Sequence, residues 1–384
     1  MNNFISYGKQ WLDDDDIAEV VRVLEGNFLT QGPKIEEFEQ AFCKYTGAKY
    51  CVAVSNGTAA LHLAVLALDL NGGEGITTPN TFAASANCLA YCGLTPVFAD
   101  IRADTYNIDL AEIKKKVTDQ TKVIVAVDFS GQVADLEEIY QFAKSKGLYV
   151  IEDAAHSIGS SFADQCKVGS CKYSDLTTFS FHPVKTITTG EGGAITTNDQ
   201  KLYEKLLLLR SHGITKDQSL LSQNPGPWYY EMQTLGYNYR ISDIQAALGL
   251  SQLKKLDRFV ARRREIVDQY NKAFNQLSNV VIPYEKPGVT SAFHLYVIKI
   301  DFAKIGKTRK EVIEELRKYN IGSQVHYIPV HLHPYYQKVY GYRRGNYPIT
   351  ESYYDQCLSL PLYPKMSNDE IKRVIDGLQE IVNG

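Results

Sequence analysis

From residue 50 onward, short β-branched runs alternate with segments of helical period. VAVS (52–55) precedes TAALHLAVLAL, TPVFADI (95–101) precedes a lysine-rich helical stretch, and KVIVAVDF (122–129) precedes LEEIYQFAKSKG. Nearly continuous apolar strands separated by helices predict a parallel, doubly wound sheet covered on both faces. YVIED (149–153), LTTFSF (176–181) and GGAITTN (192–198) extend the series with no linker between them, so one large α/β domain is expected to run to about residue 240.

Beyond it, DIQAALGLSQLKKLDRFVARRREIVDQYNKAF (243–274) places Ile244, Leu248, Leu256, Phe259, Val260, Ile266, Val267 and Tyr270 on one stripe. That stripe predicts a single long helix connecting two domains. The run Arg262-Arg263-Arg264 within it reads as a solvated face rather than a nucleic-acid patch. A strand at HLYVIKID (294–301), a helix near KEVIEELRKY and a last helix near the C-terminus describe a smaller α+β domain. The expected organisation is an N-terminal arm (1–30), a large domain (31–243), and a connector helix with a small domain (244–384).

Composition narrows the class of partner. The 384 residues can bury a large core without disulfides or metal, and 41 basic against 44 acidic residues give a net charge of -3. No single-sign field points to nucleic acid or to a membrane surface, so a small molecule or a protein is the expected partner. The opening MNNFISYGKQ carries no apolar signal core, and LAVLAL (63–68) is too short to span a bilayer, which leads to the expectation of a cytoplasmic protein. Among seven cysteines, neither Cys88 and Cys92 nor Cys166 and Cys171 have zinc-site company, and no metal is expected.

Several chemistries are missing. No G-x-G-x-x-G follows a strand, and Gly306-Lys307-Thr308 is no P-loop, because Asp301 stands where the first glycine would be. No nucleophile elbow is visible. What is present is a lysine, Lys185, in FSFHPVKTITTGEGG (179–193), and an acid, Asp153, at the end of YVIED, where ligands of open α/β sheets collect. Phe82 in TPNTFAASAN is an aromatic after a strand, and Ser55-Asn56-Gly57-Thr58 is a small-residue turn opening a helix.

Together these suit pyridoxal phosphate. That cofactor needs a lysine to hold it as a Schiff base, an acid beside its ring nitrogen, a flat face for its ring and donors for its phosphate. Lys185 and Asp153 fill the first two needs, Phe82 can stack, and Gly57, Thr58 and Ser180 can meet the phosphate at a helix N-terminus. Singly, each also has a plain structural use: Asp153 as a turn cap, Phe82 as core, Ser180 as the polar side of a strand.

SNGTAAL, TPNTFAASAN, EDAAHSIGS, FSFHPVKTITTGEGG, LRSHG and GYNYRISDIQAALGLSQL, in this order over nearly the whole chain, resemble the DegT/StrS group of pyridoxal-phosphate-dependent nucleotide-sugar aminotransferases. The resemblance implies an aspartate-aminotransferase-like fold (fold type I) and a homodimer with shared active sites. It assigns Lys185 as the Schiff-base lysine, Asp153 as partner of the ring nitrogen, Phe82 as the stacking ring, and Gly57, Thr58 and Ser180 as phosphate ligands. It places Asn238 on the phosphate of the neighbouring subunit and His156, where many members carry glutamine, near the cofactor's 3-hydroxyl. His182, Arg240, His326 and Tyr327 fall around the substrate. An intact Lys185 separates the chain from dehydratases of the group, which have histidine there.

The segment VDFSG (127–131), with His156 and FHPVK, is most similar to bacterial transaminases that aminate UDP-4-keto-6-deoxy-N-acetylhexosamines for pseudaminic acid or related surface glycans. L-glutamate is the implied donor. A dTDP-linked or D-xylo UDP-linked keto sugar, or a non-catalytic relative that keeps the cofactor, are the alternatives. Asp128 in VDFSG, where other members have histidine, reads as a fixed anion that tunes a sugar contact or supports the strand end.

Overall fold

The computed structural model describes residues 3 to 383. Seven strands form its main sheet: β1 (Tyr50–Val54), β2 (Glu74–Thr77), β3 (Thr95–Phe98), β4 (Thr121–Val127), β5 (Tyr149–Asp153), β6 (Leu176–Ser180) and β7 (Gly193–Thr197). Their order is β1-β7-β6-β5-β4-β2-β3. From β6 through β5, β4 and β2 to β3 every pairing is parallel, as the alternating pattern predicts. GGAITTN departs from it: β7 runs antiparallel to both β6 and β1. The segment between β6 and β7 holds no helix, and a parallel pairing needs a crossover that such a connection does not supply. This helix-free segment is the one that carries Lys185.

Helices cover both faces: α1 (Asp14–Leu24), α2 (Pro33–Thr46), α3 (Gly57–Leu66), α4 (Ala84–Tyr91), α5 (Leu110–Lys116), α6 (Leu136–Ser145) and α7 (Gln200–Arg210). One core sets Phe38, Phe42, Ile124, Phe179 and Phe181 between the sheet and α2; the other buries Val52, Val54, Leu63, Val125 and Ile195 around α3. α3 is apolar all round because it is covered all round, with Ala59 through Val65 buried. A hairpin, β8 (Ile214–Thr215) with β9 (Glu231–Met232), projects after α7.

The long connector is two helices rather than one, α8 (Asp243–Leu253) and α9 (Leu256–Phe274), broken at Lys254-Lys255. The single stripe fails in the first half, where Ile244 and Leu248 are only half-buried while Ala246, Ala247, Gly249 and Gln252 are buried. α8 packs on both α1 and α2, so it needs small residues on more than one side. Lys255 turns back to ion-pair with Asp13 and Asp16.

The arginine run is also not a solvated face. Arg263 is 1% exposed and its guanidinium donates to the carbonyls of Phe293 (3.4 Å), His294 (3.2 Å) and Leu362 (2.9 Å). Arg264 pairs with Glu285 at 2.6 Å. Because α9 is flanked by the second sheet, charges on its inner side are spent on backbone carbonyls that have no other donor. That sheet comprises β10 (Val280–Val281), β11 (Tyr296–Ile300) and β12 (Cys357–Leu360), all antiparallel. Helix α10 (Arg309–Lys318) and the last helix (Asn368–Asn383) join it around Tyr296, Ile298, Leu316, Leu358 and Leu378. No described helix is long and apolar enough to cross a membrane.

Candidate active site

The C-terminal ends of β5 and β6, the N-terminus of α3 and the segment before β7 meet the second sheet's loops at a cavity of about 920 Å³. Gly57, Thr58, Phe82, Asp153, His156, Ser180, His182, Lys185, His326 and Tyr327 all line it. Two sequence-predicted residues do not. Asn238 and Arg240 lie outside this chain's cavity, in the segment that bridges Ser211 and Val54, and the Asn238 side chain is exposed.

Lys185 is held by a tightly bonded loop. Its N–H donates to His182 O at 2.8 Å, while Thr188 Oγ1 (2.9 Å) and the Thr189 N–H (3.0 Å) both donate to Phe181 O. Burial disfavours the ammonium and brings its pKa from 10.5 down to about 8, with the Asp153 carboxylate pulling the other way. About one-tenth of the amine is then neutral at pH 7, some 300 times the fraction of an unshifted lysine. Competitive acylation of the cofactor-free protein, read by mass spectrometry, should give Lys185 a reactivity midpoint near pH 8; a midpoint near 10.5, like the surface lysines, would refute this environment.

Asp153 ends β5 with its carboxylate buried. Ser85 Oγ donates to Oδ2 at 2.6 Å and the Ala155 N–H to Oδ1 at 3.2 Å, so the residue caps its turn and also faces the cavity. Burial pushes its pKa up, against the pull of Ser85, the Ala155 N–H and Lys185. A cation opposite would favour the anion. Ser85, itself 2.7 Å from Thr81 Oγ1, was not foreseen; its position in the first turn of α4, three after Phe82, is the signal that could have found it. His294, 4% exposed, and Tyr7 also line the cavity unforeseen.

His156 has no free nitrogen. The Ser130 N–H donates to Nδ1 at 3.2 Å and Tyr327 Oη lies 2.9 Å from Nε2. Asp128 is not a fixed anion at the sugar. It is fully buried, accepts from the Ala134 N–H (2.8 Å) and Ser157 Oγ (2.7 Å), does not line the cavity, and burial raises its pKa to about 7. It ties the end of β4 to the turn after β5.

The residues fit pyridoxal phosphate on three independent counts. Gly57 lies so close to Ser180 that an added Cβ would stand 2.8 Å from Ser180 Cβ, bringing the α3 N-terminus and a hydroxyl into one cradle suited to a dianion. Asn56, not Ser55, caps α3 by accepting from the Ala59 N–H at 2.8 Å, which leaves the N–H groups of Gly57 and Thr58 for a ligand. Phe82 exposes 62% of its surface at the cavity, and among the described residues no ring is stacked on it. Lys185 and Asp153 supply the amine and the acid.

A profile of the DegT/DnrJ/EryC1/StrS aminotransferase family matches residues 10–379. The chain belongs to this family. Its members use pyridoxal phosphate, and this chain is accordingly a sugar aminotransferase of fold type I. The spore coat polysaccharide biosynthesis protein SpsC of Bacillus subtilis is 44% identical over 385 residues, covering 100% of this chain and 98% of SpsC. The UDP-4-amino-4,6-dideoxy-N-acetyl-β-L-altrosamine transaminase of Campylobacter jejuni is 39% identical, covering 98% and 97%. Among solved structures, Helicobacter pylori PseC, an aminotransferase of pseudaminic acid biosynthesis, superposes with a TM-score of 0.92 at 32% identity, covering 99% of this chain and 100% of that one.

Proposed function

We propose that this aminotransferase moves the amino group of L-glutamate to position 4 of a UDP-4-keto-6-deoxy-N-acetylhexosamine, for pseudaminic acid or a related surface glycan. The observation that carries the chemistry is a buried amine whose ammonium is disfavoured and a buried acid, Lys185 and Asp153, facing one cavity. The similarity to the Campylobacter jejuni and Helicobacter pylori enzymes supports the sugar.

When bound, pyridoxal phosphate supplies a ring that draws electrons from the carbon bearing the amine, so that a proton can leave it. Lys185 Nζ would anchor the group, take that proton and return it. A base with a pKa near the working pH suits both directions. Asp153, fixed by Ser85, would hold positive charge at the ring nitrogen; Gly57, Thr58 and Ser180 would hold the phosphate and Phe82 the ring face. Residues 31–243 would carry the cofactor, and the small domain would close the sugar side through His326 and Tyr327.

One chain does not supply enough positive charge. Among the described residues Lys185 is the single lysine or arginine lining the cavity, yet glutamate brings two carboxylates and a nucleotide sugar a diphosphate. This supports a homodimer in which Asn238 and Arg240 reach the partner's site, with His182 at the rim. The segment leading to them exposes Leu220 (51%), Trp228 (69%), Met232 (63%) and Leu235 (74%), an apolar patch that a second subunit would cover. Mixing Lys185→Ala with Asn238→Ala chains should restore activity to roughly a quarter of wild type after random exchange, because half of the dimers carry one intact site of two. No recovery after confirmed exchange would refute sharing.

The substrate is tested with L-glutamate and three sugars: the UDP-4-keto sugar of the L-arabino series, its D-xylo epimer, and a dTDP-4-keto-6-deoxyhexose. Preferred turnover of the L-arabino compound is expected. Preference for the dTDP sugar would overturn the proposal, and preference for the D-xylo epimer would move the chain to a sister pathway.

A further inference from the structure

The contacts of His156 determine where its proton sits. A backbone N–H can only donate, so the bond from Ser130 at 3.2 Å requires an unprotonated Nδ1. Burial, with the nearby charge of Lys185, keeps the imidazole neutral, which places the one ring proton on Nε2. Nε2–H therefore donates to Tyr327 Oη at 2.9 Å, and the phenolic hydrogen is free to point elsewhere. Among the described residues no other hydrogen-bond partner of Tyr327 Oη exists, and Tyr327 lines the cavity. The start of the chain is itself pinned: Ser130 adopts φ 63 in the turn after β4, and its Oγ donates to Leu295 O at 2.7 Å.

We propose that Ser130, His156 and Tyr327 form a one-way hydrogen-bond chain whose free end, the Tyr327 phenolic hydrogen, is donated to an oxygen of the ligand in the cavity. His156 acts through Tyr327 and is a positioning residue; the Tyr327 hydroxyl is the group that touches the ligand. The direction of the chain is independent of the function proposed above, which bears only on the oxygen that receives the hydrogen, either the 3-oxygen of the cofactor or an oxygen of the sugar. The same polarity makes a sharp demand on position 156. A glutamine can accept from Ser130 through its oxygen and donate to Tyr327 through its nitrogen. A glutamate can only accept when ionised, and would turn the phenolic hydrogen away from the cavity.

The first test needs neither cofactor nor turnover. Long-range 15N–1H correlation of the cofactor-free protein labelled in histidine, with His156 assigned by the loss of its signals in H156Q, should show the Nε2–H tautomer. An Nδ1–H tautomer would overturn the proposal. The second test compares Y327F, H156L, H156Q and H156E for pyridoxal phosphate affinity by absorbance titration and for keto-sugar KM against kcat. Y327F and H156L should weaken the same one of the two ligands by about tenfold, the loss of one ordinary hydrogen bond. H156Q should recover most of that loss and H156E none. The affected ligand identifies the oxygen. Unchanged binding of both ligands in Y327F, or H156E behaving like H156Q, would overturn the chain, whereas failure to turn over any UDP sugar with the Nε2–H tautomer intact would refute only the assigned substrate.

Discussion

Lys185→Ala should lower amine transfer at least about ten-thousandfold while the far-ultraviolet circular dichroism stays that of the parent. The size follows from the two jobs proposed for one atom: covalent anchorage and proton transfer at the reacting carbon. The unchanged fold follows from the loop around it, which is held by the backbone and threonine bonds onto Phe181 and His182, none of them made by the Lys185 side chain. Stability should respond in an uncommon direction. The folded protein lowers the lysine pKa from 10.5 to about 8, so its ammonium opposes folding below about pH 8, and the opposition fades as pH rises toward 10.5. Removing the amine should therefore leave the thermal midpoint at pH 7 no lower than that of the parent. Turnover within tenfold of the parent, or a collapse of the fold, would contradict this account.

Asp153→Asn should cost at least about a hundredfold in turnover with little change in shape. The amide oxygen can still receive the Ala155 N–H, and the amide NH2 in the place of Oδ2 can donate to Ser85 Oγ, whose own hydrogen can turn to Thr81 Oγ1, so the cap at the end of β5 persists. What would be lost is the negative charge facing the cavity, which is proposed to favour a proton on the cofactor's ring nitrogen. Turnover within a few-fold of the parent, measured at saturating cofactor, would reduce Asp153 to a turn cap.

Most of the sheet was legible because its strands are short β-branched runs buried on both faces, as in YVIED, which is β5 residue for residue. β2 carries a weaker pattern, since EGIT has a glycine and a glutamate among four residues, and it is recognised more readily by its place before Phe82. The direction of β7 is a property of the connection, not of its own residues. The break at Lys254-Lys255 and the burial of Arg263 depend on what α8 and α9 pack against, which one-dimensional periodicity does not carry.

The cavity was legible to a similar degree. Lys185, Asp153, Phe82 and the α3 N-terminus stand in local motifs with a shape of their own, and the structure brings them to one place. Ser85, Ser130, His294 and Tyr7 gain meaning only from contacts across long stretches of chain. His294 in particular lies just ahead of β11 and reads as a strand residue until the fold turns it toward His156, with ring centroids 4.5 Å apart. Asp128 was visible as a departure from the family pattern, but its burial beneath the turn after β5 was not.

The transfer itself can be followed atom by atom. Holoenzyme is supplied with L-[15N]glutamate and the L-arabino UDP-4-keto-6-deoxy-N-acetylhexosamine, and the products are read by mass spectrometry and 15N NMR. The expected result is 15N on carbon 4 of the sugar in one-to-one ratio with 2-oxoglutarate, absent in Lys185→Ala; 2-oxoglutarate released without label in the sugar, or labelled sugar formed by the Lys185→Ala protein, would contradict it.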